Sequence, residues 1–274
     1  MISRKFPLCG GDVEIVIYDV PEIVAQSCFD GIYAEALRLQ KIFNFFDAES
    51  ELSRLNVQRK IDASEELLEV LNTAIKYSGL TNGGYDVTKG KQFLARKKCE
   101  ELPAVSCTYK DIKINKNTVE LANSDALVDL GSIAKGYIAD KLVAYMQKLG
   151  IESGFIDARG DMKIFGSHKE VIEVQHPRED AGVCPVSLEN GALATSGDYR
   201  QFDRSFARCH IIGKKDFISV SVLSDSLMDA DAAATCIFTL GSAEAEKFIQ
   251  ENHLRVLAID SGLNCHDYCF KEAP

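Results

Sequence analysis

The chain of 274 residues lacks any excess of positive charge: 31 Lys and Arg stand against 41 Asp and Glu, a formal net charge of −10. General nucleic-acid binding, which relies on clustered cations to displace counterions from phosphates, is therefore not expected, and a phosphate-bearing ligand would need locally placed cations. No run of about 18 apolar residues is present to span a bilayer, so no membrane insertion is expected. The opening MISRKFPLCGG runs into Asp12 and Glu14 without the apolar stretch of a secretory signal, and the location expected is cytoplasmic. Nine cysteines, an odd number, are scattered without the dense spacing of a disulfide framework and are expected mostly as thiols. Their tightest cluster, Cys265-His266-Asp267-Tyr268-Cys269, has no second ligand pair nearby and reads as a terminal strand or loop rather than a zinc site. Without a Gly/Ser linker, a proline-rich hinge or a repeat of 20–50 residues, the chain shows no domain boundary, and residues 1–274 are read as one domain.

What is present is ordinary for a soluble globular protein: 46% hydrophobic and 26% charged residues leave no compositional sign of disorder. Alternation in DVEIVIYD (12–19) predicts a strand, and apolar residues at helical spacing from Ile32 to Phe46 predict an amphipathic helix ending near Asp47. Asp62 with Glu65 three residues on is a capping-box arrangement for a second helix, which Asn82-Gly83-Gly84 stops. Past residue 110, strand-like runs (IKIN, TVELA, GFID, MKIFG, EVIEVQ, FISVSVL) mix with helices opening near Ser132, Leu227 and Ala243. The fold class expected is α+β, one compact unit of mixed sheets and helices.

Three stretches carry chemistry. In VDLGSIAKGYIAD (128–140) a strand ends in a Gly-Ser turn and a helix begins, with Lys135 in its first turns. Unpaired N–H groups and the positive dipole end make such a terminus an anion pocket, although a solvent-exposed lysine on a capped helix reads equally from this stretch alone. No Lys-Ser/Thr follows Gly136, which excludes a P-loop. In LMDADAAATCIFTLG (227–241), Asp231 and Thr235 lie four apart on one helix face, and a carboxylate with a hydroxyl suits a hard cation such as Mg²⁺. Asp225 and Asp229 add negative potential; the alternative is a helix N-terminus decorated with Asp for its dipole. GDM (160–162) and ATSGDYR (194–200) are polar turns that could surround a ligand or close a hairpin. His210 is a histidine entering a strand, structural or catalytic.

In this order the segments resemble the ApbE family of FAD:protein FMN transferases from Phe43 to Gly241. Phe43-Asn44-Phe45-Phe46-Asp47 through Ser50-Glu51-Leu52-Ser53-Arg54-Leu55-Asn56 is similar to the family's "fStY…dSelsrlN", and Tyr85-Asp86-Val87-Thr88-Lys89-Gly90 to its "fDvTvG". Asp129-Leu130-Gly131-Ser132 to Lys135-Gly136-Tyr137 and Asp140 resembles "DLggiaKGyavD", and Gly160-Asp161 the end of "GGD". Ala194-Thr195-Ser196-Gly197-Asp198-Tyr199 and Ala230-Asp231 to Thr235 match "aTSGdy" and "aDalaT".

The resemblance implies an α+β fold with FAD in a cleft lined by Phe46, Tyr85, Asp86, Asp129, Lys135 and Ile212. It implies Mg²⁺ held by Asp231 and Thr235, with Ser132 as a third ligand. The reaction implied is attack by a Ser or Thr hydroxyl of an acceptor protein on the FMN-side phosphorus of FAD, with AMP leaving, Lys135 stabilising charge and His210 accepting the proton. Alternatives are an FAD pyrophosphatase, in which water replaces the hydroxyl, and a non-catalytic FAD-binding protein. Whether the chain forms a homodimer is left open. The chain departs from the family at three points: Gly213-Lys214-Lys215-Asp216 replaces the "DPrTG" after the histidine, Ala234 stands where some relatives carry an acid, and Asn44-Phe45-Phe46 replaces Ser-x-Tyr.

Overall fold

A computed structural model describes residues 1–198, 211–213 and 216–270. In chain order its strands are β1 (Ile2–Leu8), β2 (Gly11–Ile17), β3 (Lys60–Asp62), β4 (Ile112–Asn115), β5 (Thr118–Leu121), β6 (Gly154–Ala158), β7 (Asp161–Phe165), β8 (Lys169–Gln175), β9 (Gly182–Glu189), β10 (Ala192–Gly197), β11 (Phe217–Ser224), β12 (Arg255–Asp260) and β13 (Cys265–Tyr268). The α-helices are α1 (Glu22–Phe43), α2 (Glu51–Gln58), α3 (Glu65–Leu80), α4 (Gly90–Lys97), α5 (Ala134–Lys148), α6 (Leu227–Thr239) and α7 (Ser242–Glu251).

One eight-stranded sheet, in the order β1-β2-β6-β7-β10-β11-β12-β13, joins strands from both ends of the chain, and its ladders are antiparallel. Strand β11 is buried along nearly its whole length, because apolar layers cover both of its faces. On one side lie the helices: α6 rests on β10 and β11, α5 packs against α6, and α1 against α5. On the other, the β8–β9 ribbon supplies Val174, Cys184, Val186 and Leu188 to a second cluster with Leu193, Leu223, Leu257 and Phe270. A three-stranded sheet, β3-β5-β4, stands apart from the main sheet. Among the described residues no helix is long and apolar enough to cross a membrane.

Helix α1 is longer at its start and shorter at its end than the periodicity predicts. Its buried face, Ala25, Phe29, Ile32, Ala36, Leu39 and Ile42, keeps helical spacing from the first turn, although Ile23 beside it is exposed. The helix stops at Phe43 because Asn44 turns extended and its side chain accepts the N–H of Phe46, an Asx turn competing with the next helical turn. The expected capping box on Asp62 does not form. Asp62 pairs with Thr118 in the β3–β5 ladder and accepts that threonine's hydroxyl, while Ser64 caps α3 by accepting the N–H of Leu67. The ATSG stretch, expected as a turn, is strand β10, drawn into the sheet by pairing with β11. Residues 265–268 form strand β13, as expected.

Candidate active site

The motif VDLGSIAKGYIAD positions the site through two contacts between α5 and α6. A side chain at Gly136 would lie 2.3 Å from the Leu227 carbonyl oxygen, so only glycine lets the two helices meet there. One turn later the Asp140 carboxylate accepts the N–H groups of Leu227 (3.1 Å) and Met228 (3.0 Å) and the Ser226 hydroxyl, satisfying donors that the start of α6 leaves unpaired. Gly136 and Asp140 thus fix where Asp231, on the next turn of α6, faces Lys135.

The Lys135 ammonium lies 3.1 and 3.0 Å from the two carboxylate oxygens of Asp231 and 2.9 Å from Asp161 on β7. Asp231 also accepts the Gly136 N–H at 3.3 Å, and Asp161 accepts the Thr195 N–H at 3.1 Å. Both carboxylates are buried. Two negative charges share one positive charge in a region of low dielectric, an arrangement that resists full ionisation. Burial, with the adjacent Asp161 adding to it, pushes the Asp231 carboxyl up to about 6, and the two carboxylates hold the Lys135 ammonium charged. Thr235, one turn beyond Asp231, shares a 3.0 Å hydrogen bond with the Ser196 hydroxyl of β10.

Next to this cluster, the Tyr85 hydroxyl and the Ser132 hydroxyl lie 3.0 Å apart. An O–H donated by Tyr85 leaves a lone pair on Ser132 Oγ for a cation. Asp129 accepts the Gly131 N–H at 3.1 Å, and burial raises its carboxyl. The segment before it, expected as a strand, is irregular and is held by Asn56, the last residue of the SELSRLN stretch, which bonds both the N–H and the carbonyl of Val128. The Asp86 carboxylate is occupied differently: it accepts the Thr88 N–H and hydroxyl and the Tyr109 N–H, fixing the turn after Tyr85.

All of these open into one cleft of about 1580 Å³, which Phe46, Tyr85, Asp86, Asp129, Ser132, Lys135, Ile212, Asp231 and Thr235 line together. His210 lies outside the described residues. Asp229 faces elsewhere: it accepts the Tyr77 hydroxyl at 2.9 Å beside a separate cleft of about 230 Å³. The cleft is also lined by Asp161, which the sequence marked only as part of the GDM turn, and by Lys97, Cys9 and Arg159, to which it gave no role. Lys97 stands 4.4 Å from the ring centre of Phe46, and Phe45, Phe46 and Phe93 form a mutual aromatic cluster. The "GGD" resemblance marked the position of Asp161; nothing local marked the other three.

An aromatic cluster beside a buried charge cluster fits an elongated ligand with a ring system and an anionic group, and the cleft exceeds the usual size of small-molecule sites. The class so defined is a binder of nucleotide-like ligands on an antiparallel α+β scaffold. The family model of the ApbE family matches residues 9–259, and the chain belongs to that family. It is 31% identical over 242 residues to an FAD:protein FMN transferase of Vibrio cholerae serotype O1, covering 77% of this chain and 72% of the relative. An FAD:protein FMN transferase of Haemophilus influenzae is 29% identical over 251 residues, with 78% and 72% covered. The structure of the flavin transferase ApbE from Vibrio cholerae superposes with a TM-score of 0.81 at 26% identity, covering 97% of this chain and 96% of that one. The ApbE protein from Thermotoga maritima shares the fold at a TM-score of 0.86 and 23% identity, over 100% and 99% of the two chains.

Proposed function

We propose that this chain is an FAD:protein FMN transferase, the activity that the names of its relatives state. The observation that carries the reading is the convergence of Lys135, Asp231, Thr235, Ser132 and Tyr85, drawn from three separate motifs, on one cleft of dinucleotide size. The acceptor group we propose is a Ser or Thr hydroxyl. Its oxygen bonds to the FMN-side phosphorus, the bond from that phosphorus to the bridging oxygen breaks, AMP leaves, and the hydroxyl proton passes to a base. His210 is the residue proposed for that base.

A divalent cation suits the donors present. Asp161 and Asp231 keep one negative charge beyond what Lys135 neutralises, and the hydroxyls of Thr235 and Ser132 are hard oxygen donors in the same cleft. Among the described residues no group of three or more His, Cys, Asp or Glu could hold a metal, so the substrate's own oxygens and water would complete the shell, the habit of Mg²⁺ rather than Zn²⁺. Asp231, Thr235 and Ser132 would hold the ion. When bound, it neutralises negative charge on the diphosphate oxygens. Lys135 adds a fixed positive charge held by two carboxylates, and Tyr85 orients the Ser132 hydroxyl. We also propose a cytoplasmic location, in keeping with nine cysteines scattered without the spacing of a disulfide framework; cell fractionation tests it.

The test is to incubate the purified protein with FAD and Mg²⁺, with and without EDTA, and to follow AMP, free FMN and flavin retained on denatured protein of a host lysate. Metal-dependent AMP with covalent flavin on a second protein is expected. AMP with only free FMN would make the protein a pyrophosphatase instead, and bound, intact FAD would make it a flavin-binding protein without turnover.

A further inference from the structure

Two hairpins of the main sheet turn at the cleft, and both are closed by two residues with positive φ. In the β1–β2 hairpin they are Cys9 (φ 53°) and Gly10 (φ 76°); in the β6–β7 hairpin they are Arg159 (φ 67°) and Gly160 (φ 96°). Such type I′ turns favour Asn-Gly, and the family pattern ending in Gly160-Asp161 places glycine where Arg159 stands. An arginine here is strained backbone retained at a position that asparagine or glycine would fill without cost.

The arginine side chain does not trail into solvent. It lies along Gly10 and Gly11 of the neighbouring hairpin, where a Cβ on Gly11 would come within 2.7 Å of its Nε, and its Nη1 donates to the Cys9 carbonyl at 2.8 Å. Cys9 is itself held by its N–H donating to the Gln40 side chain at 2.6 Å. The guanidinium is thus oriented by backbone contacts, and no carboxylate among the described residues neutralises it. Lys135, by contrast, is fully engaged by Asp161 and Asp231. Arg159, two residues before Asp161, lines the same cleft as Lys135, Asp161 and Asp231.

The ionised Lys135, Asp161 and Asp231 sum to −1. A diphosphate carries about two negative charges at neutral pH, so floor and ligand together sum to about −3, and one divalent cation brings the loaded site to about −1, a remainder that one further cationic side chain neutralises. We infer that Arg159 is a ligand-binding residue of this chain: its guanidinium contacts the diphosphate of FAD, with geometry suited to paired phosphate oxygens. The inference rests on the proposed transferase reading and adds to it a residue that sets affinity for the phosphorylated part of the substrate.

The test is flavin-fluorescence titration of the full chain with FAD, and riboflavin competition against FAD, for wild type, Arg159→Asn and Arg159→Lys. Arg159→Asn is expected to weaken FAD binding by roughly tenfold to hundredfold, the scale of a lost charged hydrogen bond. Riboflavin, which has no phosphate, should bind unchanged, Arg159→Lys should recover part of the loss, and FAD binding should become less sensitive to salt in Arg159→Asn. The melting temperature of Arg159→Asn should equal or exceed that of wild type, because asparagine suits the turn; this separates lost binding from lost folding. FAD binding within twofold of wild type in Arg159→Asn would overturn the inference, and so would equal weakening of FAD and riboflavin, which is what a simple staple between hairpins predicts. Should the wild type bind FAD but produce no AMP, the transferase reading alone fails; should it bind no FAD, both fail.

Discussion

Asp231 and Asp260 are the same residue type in opposite surroundings. Asp231 is buried at the cleft floor, shares one ammonium with a second carboxylate, and has its carboxyl raised to about 6. Asp260, at the turn between β12 and β13, accepts the Gly262 and Asn264 N–H groups at 2.8 and 2.9 Å and lies 2.9 Å from His266 Nε2; these bonds, His266 first, lower its carboxyl to about 2. One carboxylate is ionised against the preference of its surroundings and the other because of it. A protein gains nothing in stability from the first arrangement, which is in keeping with the ligand role proposed for Asp231, whereas Asp260 locks a turn.

The largest expected effects fall on the cleft. Asp231→Ala should lower turnover by roughly 10³-fold, on the scale of several kcal/mol of lost charge stabilisation, with KM and kcat for FAD measured by AMP release. Lys135→Met should do comparable damage to turnover and also destabilise the fold by about 3–5 kcal/mol, since it leaves two buried carboxylates without a cation; denaturant unfolding measures this. Asp231→Ala with near-wild-type turnover would return the carboxylate to a merely structural place.

Asp231→Asn sharpens the comparison because it mimics the protonated form. The folded-state carboxyl near 6 lies above its ordinary 3.8, so the native state binds more protons between those values, and this group makes stability fall as pH rises from about 4 to about 6. Above pH 6 the amide should therefore be more stable than the wild type, by roughly 1–3 kcal/mol, read as a higher melting temperature in EDTA. Added Mg²⁺ should raise the wild-type melting temperature more at pH 7.5 than at pH 5.5, where the ion must displace a proton, and should not raise that of Asp231→Asn to the same extent.

The parts of this comparison differ in how they were written into the chain. Asp231 and Thr235 are legible because helical spacing puts them on one face, and Lys135 because the turn before it opens a helix. The pairing of Asp161 with Lys135 is not, since the two meet only after β6 and β7 pair and α5 packs across the sheet. The α+β class followed from mixed periodicities, yet β1 escaped notice because only Phe6 and Leu8 of its seven residues are buried. Asp62 offered the right spacing for a cap and lost to Ser64, because a ladder partner 56 residues away, Thr118, claimed it. Arg159 was invisible for a related reason: its significance lies in a positive φ and in the backbone of a hairpin about 150 residues earlier. Local chemistry survives in sequence spacing, whereas pairings made by sheet closure do not.

The smallest effect belongs to Asp260. Its carboxyl lies below the ordinary value, so its contribution to stability is complete above about pH 4 and is lost as pH falls from about 4 toward 2, the opposite slope and a lower window than Asp231. The group is close to solvent, which screens the pairing with His266 and holds its part of the effect under about 1 kcal/mol. Asp260→Ala also removes the acceptor for the turn's N–H groups, so a loss of about 0.5–1.5 kcal/mol at pH 7 is expected from denaturant unfolding, with kcat and KM for FAD unchanged. A melting-temperature profile from pH 2 to pH 7 in EDTA separates the two carboxylates. Asp260→Ala should flatten the rise between pH 2 and 4 and leave the fall between 4 and 6 intact, while Asp231→Asn should do the reverse. A loss of turnover in Asp260→Ala would mean that this turn couples to the cleft through β12 and β11, and the contrast between a ligand-serving and a turn-locking carboxylate would then fail.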